Sequence, residues 1–276
     1  MPHAPIPPVT LNDRTTIPPL GFGTSELTGA AATEAVSSAL GVGYRLIDSA
    51  VNYGNETEVG RALTERAGDE LVVTTKVPGR DHGYDETIRS FEGSLERLGR
   101  VDLYLIHWPN PRQGRYVDTW RAMVDLQRAG RVRSIGVSNF TERHLHEVAD
   151  ATGVIPAVNQ IELHPRFPQQ RMREVHAALG VVTESWSPLG DGLAFGEPAV
   201  AGPAANYGQT PAQVVLRWHL QLGAVAIPKS AHVERQRENS DVFDFTLTDA
   251  EMAAITALGR DDGRLWGGDP ETNEEM

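Results

Sequence analysis

Four polar side chains lie at the ends of neighbouring predicted strands or just after them, and their types suit proton transfer. Asp48 ends a short apolar strand that begins at Arg45, and Tyr53 lies in the loop after it. Lys76 ends the next predicted strand, and His107 ends the one after that. A lysine beside a phenol lowers the phenol pKa, and an aspartate keeps that lysine charged. The set predicts a catalytic site in which Tyr53 protonates a carbonyl oxygen, His107 donates a hydrogen bond to it, and a hydride reaches the carbon.

Each of the four residues also fits a structural role when it is taken alone. Asp48 and Tyr53 stand near a turn, where such residues often cap or pack. The Lys76 stem can carry its ammonium to solvent, and His107 can be a hydrogen-bonded core histidine. Their convergence from neighbouring strands favours the catalytic interpretation over these four separate explanations.

Short apolar strands alternate with amphipathic helices along the chain and position these residues. The eight predicted strands are Leu20–Thr24, Arg45–Asp48, Leu71–Val77, Val101–His107, Val132–Ser138, Ala157–Ile161, Val181–Trp186 and Ala224–Pro228. The helices predicted after them lie near 30–40, 57–66, 85–98, 117–129, 142–151, 169–179, 211–222 and 248–258. Eight βα units in about 250 residues predict an α/β fold, a closed (β/α)8 TIM barrel.

Two further features complete the predicted architecture. The segments Val9–Leu11 and Thr15–Ile17 flank Asn12-Asp13 and predict a small β-hairpin that plugs the barrel. No Pro/Gly/Ser-rich linker interrupts the series, so residues 1–276 are expected to form a single domain. Insertions at 109–115 and 190–207 follow strands and therefore belong to the C-terminal face, where barrel active sites lie.

Charge and composition narrow the possible functions. The formal net charge of -12 argues against a nucleic-acid or anionic-membrane surface, so an anionic ligand must be held by a few specific residues. The chain has no cysteine, which excludes disulfides, thiolate catalysis and cysteine-bound zinc. His144 and His146 face different sides of a helix, and there is no H-E-x-x-H motif, so no metal is expected. The start has no signal-peptide pattern and no run reaches roughly 18 apolar residues, so we expect a cytoplasmic protein. We also expect it to be a monomer that takes a small molecule.

A nucleotide phosphate has one good candidate site late in the chain. Gly21-Phe-Gly23 lacks the third glycine of a dinucleotide-binding fingerprint. Ile227-Pro-Lys-Ser230 leaves the last strand, and Arg235, Glu238 and Asn239 follow at helical spacing. Lys229, Ser230 and Arg235 could together hold a phosphate near a helix start, although an ordinary solvated charged helix has the same composition.

Three long segments, in order, resemble the motifs of the aldo-keto reductase family. They are Gly43–Glu56, the run Gly130-Arg-Val-Arg-Ser-Ile-Gly-Val-Ser-Asn-Phe140, and Ile227-Pro-Lys-Ser230 with Arg235 and Asn239. Pro156–Pro165 and Glu184–Leu189 match as well. The resemblance covers nearly the whole chain and implies a hydride-transferring carbonyl reductase that uses NADPH.

The resemblance also implies roles for individual residues. Asp48, Tyr53, Lys76 and His107 would form the catalytic tetrad. Ser138, Asn139 and Gln160 would hold the nicotinamide carboxamide, and Trp186 would stack on its ring. Ser187 and Leu189 would follow the pyrophosphate. Lys229, Ser230 and Arg235 would bind the adenosine 2'-phosphate, with Glu238 and Asn239 near adenine.

Some positions depart from the family pattern. Val77-Pro78 replaces a frequent Leu-Trp and changes a loop beside the substrate pocket, and the tail after Gly259 is short and ends in acidic residues. We expect Phe22, Trp108 and Trp266 to line the substrate pocket. Two alternatives remain open: a nucleotide-binding regulatory subunit on the same barrel, and a barrel isomerase or aldolase that uses Lys76 as a Schiff-base amine.

Overall fold

The computed structural model describes residues 7–64 and 70–275. Residues 1–6 and the end of the helix predicted over 57–66 lie outside those ranges.

Eight parallel strands form the sheet that carries the site. In the described ranges the strands are β1 Val9–Thr10, β2 Thr16–Ile17, β3 Phe22–Gly23, β4 Leu46–Asp48, β5 Val72–Val77, β6 Leu103–Ile106, β7 Ser134–Ser138, β8 Val158–Glu162, β9 Val182–Trp186 and β10 Val225–Ala226. From β3 to β10 each strand pairs in parallel with the next one along the chain. Leu20 pairs in parallel with Ala226, which joins the first strand to the last and closes the barrel. The predicted TIM barrel is confirmed.

Close backbone approach at the closure depends on a glycine. A Cβ built on Gly21 would lie 2.7 Å from Cγ of Leu46 and 2.9 Å from Cγ2 of Ile227. Since real Cβ atoms do not come that close, Gly21 lets the first strand reach both neighbours. Its role is therefore close packing at the closure of the barrel.

Helices cover the outside of the barrel and connect successive strands. In the described ranges they are α1 Gly29–Val42, α2 Glu56–Thr64, α3 Tyr84–Leu98, α4 Tyr116–Arg128, α5 Glu142–Thr152, α6 Gln170–Leu179, α7 Pro198–Tyr207, α8 Pro211–Gln221, α9 Val233–Ser240 and α10 Asp249–Thr256. Capping boxes start α5, α8 and α10 at Thr141, Thr210 and Thr248. None of the described helices is long and apolar enough to span a bilayer.

The N-terminal hairpin packs against the barrel interior, as predicted. β1 and β2 pair antiparallel, with Val9 opposite Ile17. Leu11 and Ile17 are buried in one cluster with strand residues that include Leu46 and Leu105. Thr15 Oγ1 lies 2.6 Å from Ser134 Oγ at the start of β7. The hairpin closes the end of the barrel that lies opposite the polar strand ends.

Candidate active site

The alternation of side chains along each strand decides which residues enter the barrel. Leu46, Val72, Leu103 and Val158 belong to the interior cluster, whereas Ile47, Val73 and Tyr104 pack in the outer cluster beneath the helices. Counting in steps of two from the interior residues places a second set on the same face. That set is Asp48, Lys76, His107, Ser138, Gln160, Glu184 and Trp186, all at or near the C-terminal ends of the strands.

Asp48 and Lys76 form a buried pair that contacts the partly exposed Tyr53. Nζ of Lys76 lies 2.6 Å from Oδ1 of Asp48 and donates to the Ser49 carbonyl oxygen at 2.9 Å. It also lies 3.4 Å from the Tyr53 hydroxyl. The turn Val51–Tyr53 ends at Gly54 in the left-handed region with φ 65°, which lets the chain reverse directly after Tyr53. Lys76 is fully buried, so it does not extend to solvent.

The pKa of Tyr53 differs from the sequence-based expectation. Burial raises the pKa of the phenol, and this outweighs the lowering by the Lys76 ammonium, so the balance lies above the usual value. Burial alone would lower the pKa of Lys76, but Asp48 and Tyr53 raise it above its usual value. Lys76 is therefore charged and Tyr53 keeps its proton at neutral pH.

His107 lies beside Tyr53 and faces the same groove. The two rings meet edge to face with centroids 5.8 Å apart. Asn139 Nδ2 donates to the His107 carbonyl oxygen at 3.0 Å, and Asn139 Oδ1 accepts from Nε1 of Trp186 at 2.9 Å. Asn139 has a left-handed backbone with φ 62°. Asn139, with its strained backbone, thus links His107 to Trp186.

A second acidic residue lies beneath the tetrad. Nε2 of Gln160 donates to Oδ2 of Asp48 at 2.8 Å and to Oε1 of Glu184 at 3.0 Å. Burial is the largest cause that raises the pKa of Glu184, to about 8, and the nearby Asp48 charge adds to it. Because both amide hydrogens of Gln160 point inward, its Oε1 is the atom left to accept from a ligand.

The groove above these residues has a volume of about 930 Å³ and runs from Tyr53 to the last barrel loop. Asp48, Tyr53 and His107 line one end of it. Every residue assigned above to a cofactor lines it too: Ser138, Asn139, Gln160, Trp186, Ser187, Leu189, Lys229, Ser230, Arg235, Glu238 and Asn239. The structure therefore brings the separate sequence motifs together on one surface.

Cationic and aromatic side chains occupy opposite ends of the groove. Lys229 pairs with Glu26 across one end, with Nζ 2.8 Å from Oε2. At the other end Trp108 and Trp266 line the groove, and the Trp266 ring lies 5.5 Å from that of Trp186. Phe22 is placed differently from its predicted position. It is buried against Tyr44 in the outer core and does not line the groove, because its side chain points away from the barrel interior.

The C-terminal tail, although short, folds over the site. Gly268 packs against the Trp108 ring, where a Cβ would lie 3.1 Å from Cζ2. Glu275 reaches His107, with Oε1 2.7 Å from Nδ1. The loop after Val77-Pro78 meets this tail at Gly79, since a Cβ there would overlap the Glu275 carbonyl oxygen. The loop after Val77-Pro78 and the tail thus pack against each other.

Sequence reasoning missed three acidic residues at this site. Glu26 follows the first barrel strand, so its place at a strand's C-terminal end was a usable signal. Glu184 was noted only as part of a motif, although it shares the interior face with Gln160. Glu275 carried no signal, because only the folded tail brings it to a residue 168 positions earlier in the chain.

Comparisons with known proteins agree with this geometry. The aldo/keto reductase family model matches residues 19–260. The chain is 54% identical to 2,5-diketo-D-gluconic acid reductase B of Corynebacterium sp. (strain SHS752001), over 98% of this chain and 99% of that protein. An aldo-keto reductase of Mycolicibacterium smegmatis is 48% identical over 96% of this chain and 98% of its own length.

Solved structures show the same likeness. A crystal structure of a Gox0644 mutant in complex with NADPH superposes with a TM-score of 0.93 at 46% identity, covering 97% of this chain and 98% of that one. A Bombyx mori aldo-keto reductase in complex with NADP gives a TM-score of 0.87 at 33% identity, over 92% of each chain. The site geometry and these matches lead to the same conclusion. The chain belongs to the aldo/keto reductase family and is an oxidoreductase of that family.

Proposed function

We propose that this protein is an NADPH-dependent carbonyl reductase with Tyr53 as the general acid. The observation that carries the proposal is the position of the Tyr53 hydroxyl, 3.4 Å from the buried Lys76 ammonium and at the groove end shared with His107.

The donor set of the groove fits a nicotinamide nucleotide. Near Tyr53, Ser138 and Asn139 offer polar groups and Gln160 offers its Oε1 to a carboxamide, while Trp186 offers a ring for stacking. At the far end Lys229, Ser230 and Arg235 provide two cations and a hydroxyl, which suit a 2'-phosphate. The long groove matches an extended ligand with a planar group at one end and a phosphate at the other.

Proton delivery follows from the contacts of Tyr53. NADPH, when bound, supplies the hydride. Since burial keeps Tyr53 protonated at neutral pH, its proton leaves only when a developing alkoxide, a much stronger base, is held against it. The Lys76 ammonium then stabilises the tyrosinate, and Asp48 keeps that ammonium charged. His107 donates a hydrogen bond to the same oxygen, and the burial of Asp48 and Lys76 limits competition from water.

The substrate class proposed here is a small polar aldehyde, ketone or keto-sugar. The relative that is 54% identical is named for a diketo sugar acid and aligns over almost its full length. Trp108 and Trp266 provide flat apolar walls, a type of surface on which sugar rings often pack. Polar groups from His107 and Tyr53 meet at the base of those walls.

The state of Lys76 argues against the Schiff-base alternative. Its amine is fully buried, paired with Asp48, and has a pKa above the usual value. A Schiff-base lysine must instead lose its proton and reach a carbonyl. The regulatory-subunit alternative leaves the contacts among Asp48, Lys76 and Tyr53 without a purpose.

Oxidation of NADPH in the presence of aldehydes, diketones and keto-sugars tests the proposal. Turnover of at least one class is expected, and Tyr53→Phe should lower kcat by about 100- to 10,000-fold because the proton donor is lost. Quenching of tryptophan fluorescence should show unchanged NADPH affinity in Tyr53→Phe. Parent enzyme that binds NADPH but reduces none of the panel, or a Tyr53→Phe variant with full activity, would refute the assignment.

A further inference from the structure

The C-terminal tail is held against the active-site face by contacts along its length. Leu265 N–H donates to Oε1 of Glu162 at 2.7 Å, and Trp266 packs on Trp186. Glu271 then pairs with Arg143 at 2.6 Å, and Glu274 accepts from the backbone N–H of Arg112 at 2.7 Å. The tail therefore crosses the groove mouth along a defined path.

The backbone of Glu275 has its own seat between two loops. Its N–H donates to Oδ1 of Asn110 at 3.2 Å, and its carbonyl oxygen accepts from Nδ2 of the same side chain. Asn110 has a left-handed backbone with φ 46°, which turns its amide toward the tail. Gly79 supplies the space that a larger residue would fill. Gly79 lies in the loop that follows the strand of Lys76, and Asn110 lies in the loop that follows the strand of His107.

From this seat the Glu275 carboxylate reaches the catalytic histidine. Oε1 lies 2.7 Å from Nδ1 of His107 and accepts from Nδ2 of Asn52 at 2.7 Å. Burial alone would raise the pKa of Glu275, but the contacts with His107 and Asn52 lower it on balance, so the carboxylate is charged. The carboxylate side chain is only 15% exposed. An anion is thus kept at the protein-facing edge of the His107 ring.

The two ring nitrogens of His107 face different surroundings. Nδ1 is buried and lies 2.7 Å from Oε1 of Glu275, although the two atoms do not meet the geometry of a hydrogen bond. His107 lines the groove, so Nε2 is the nitrogen that can face a ligand. The Glu275 carboxylate therefore occupies the Nδ1 side of the ring and leaves the Nε2 side open to a carbonyl oxygen.

We propose that Glu275 is a positioning residue for His107, its carboxylate beside Nδ1 holding the ring turned so that Nε2 faces the substrate carbonyl oxygen. The inference rests on the proposed carbonyl-reductase function of the site. The seat of Glu275 on Asn110 and Gly79 fixes the distance between its carboxylate and Nδ1 of His107. The tail therefore contributes to catalysis as well as covering the groove.

The test compares Glu275→Gln with Glu274→Gln. Glu275→Gln keeps the shape and the backbone seat but removes the charge at His107, whereas Glu274→Gln removes the adjacent charge, which accepts from the backbone N–H of Arg112. We expect Glu275→Gln to lower kcat by about 10- to 100-fold, the usual cost of losing a partner that orients a functional histidine. NADPH affinity should stay within about twofold of the parent, and Glu274→Gln should behave as the parent does.

A second readout does not depend on turnover. Nitrogen NMR of the imidazole rings, with His107→Asn used to assign the signal, records the state of the two His107 nitrogens in the parent. Glu275→Gln should change that pattern. Equal kcat in parent and Glu275→Gln, or an unchanged His107 signal, would overturn the proposal. If the parent reduced no carbonyl, the NMR result would still decide whether Glu275 sets the state of His107.

Discussion

Asp48→Asn is the substitution whose consequences follow most directly from the structure. Asp48 and Lys76 are in contact at 2.6 Å with side-chain exposures of 2% and 0%. The asparagine would fill the same space but leave the Lys76 ammonium buried with two neutral partners, the Ser49 carbonyl and the Tyr53 hydroxyl. An uncompensated buried charge is one of the costliest local changes a fold can carry.

The expected loss of stability is about 3–5 kcal/mol, the range for removing one partner of a buried ion pair. At about 2–4 °C per kcal/mol for a chain of this size, Tm should fall by about 6–20 °C. Activity should fall too, because Asp48 no longer holds the ammonium beside Tyr53. Replacing both residues, as in Asp48→Asn with Lys76→Met, removes the unpaired charge and should recover much of the lost stability.

The pH dependence of Asp48→Asn should have the opposite sign from that of the parent. In the parent the pKa of Lys76 is raised. Its contribution to the stability of the folded state is therefore complete below the unfolded-state pKa of about 10.4 and is lost only above it. Without Asp48, burial dominates and lowers the pKa of Lys76 below that of the unfolded chain. The unfolded state then binds more protons, and the stability of the variant rises as pH increases toward about 10.4.

Urea unfolding followed by tryptophan fluorescence at about pH 7 and about pH 9 measures these effects for the parent, both single variants and the double variant. The four proteins form a double-mutant cycle for the Asp48–Lys76 pair. A single Asp48→Asn variant within about 1 kcal/mol of the parent, or a double variant no more stable than the single one, would refute the reasoning from burial.

Two further predictions concern the ends of the polar network. Replacing Lys229 and Arg235 with alanine should raise the Kd for NADPH by about 10-fold or more per charge and leave the Kd for NADH nearly unchanged, because each cation would lose a charge-assisted bond to the 2'-phosphate. Arg237→Ala on the same helix is the matched control, and an unchanged NADPH/NADH ratio would contradict the assignment. Glu184 has a pKa raised to about 8, so parent stability should fall as pH rises from about 4.5 to about 8, by up to about 1.4 kcal/mol per unit. Glu184→Gln should flatten that slope in urea titrations, and parallel curves for the two proteins would exclude a buried protonated Glu184.

Much of the fold was accessible from local patterns. The alternation of apolar strands with helices predicted all eight barrel strands to within a few residues, and the turn at Asn12-Asp13 predicted the hairpin. Buried strands and amphipathic helices each carry their own periodicity, which is a property of a short window of sequence. The helix-capping threonines Thr141, Thr210 and Thr248 are equally local signals.

The sequence could predict which residues meet at the site, because in a barrel the position of a residue along its strand determines where its side chain lies in the fold. A polar residue at the C-terminal end of an interior-facing strand must enter the same face as its neighbours. Asp48, Lys76 and His107 satisfy that rule, and Lys229 and Arg235, which we propose bind a phosphate, follow the last strand. Phe22 does not satisfy the rule. It stands one position before Gly23, and its side chain points outward toward Tyr44.

What the sequence alone determined was the order of elements and the residue types that each strand delivers to the groove. Only the tertiary structure decided the balance of energies and the distant contacts. Whether the pKa of Tyr53 ends below or above its usual value depends on how deeply the phenol is buried, and burial exceeds the lowering by the Lys76 charge. Whether Glu275 touches His107 depends on the path of a tail that crosses several loops, each of which contributes a small part of its placement. Such contacts are sums over residues far apart in the chain, so no local pattern encodes them.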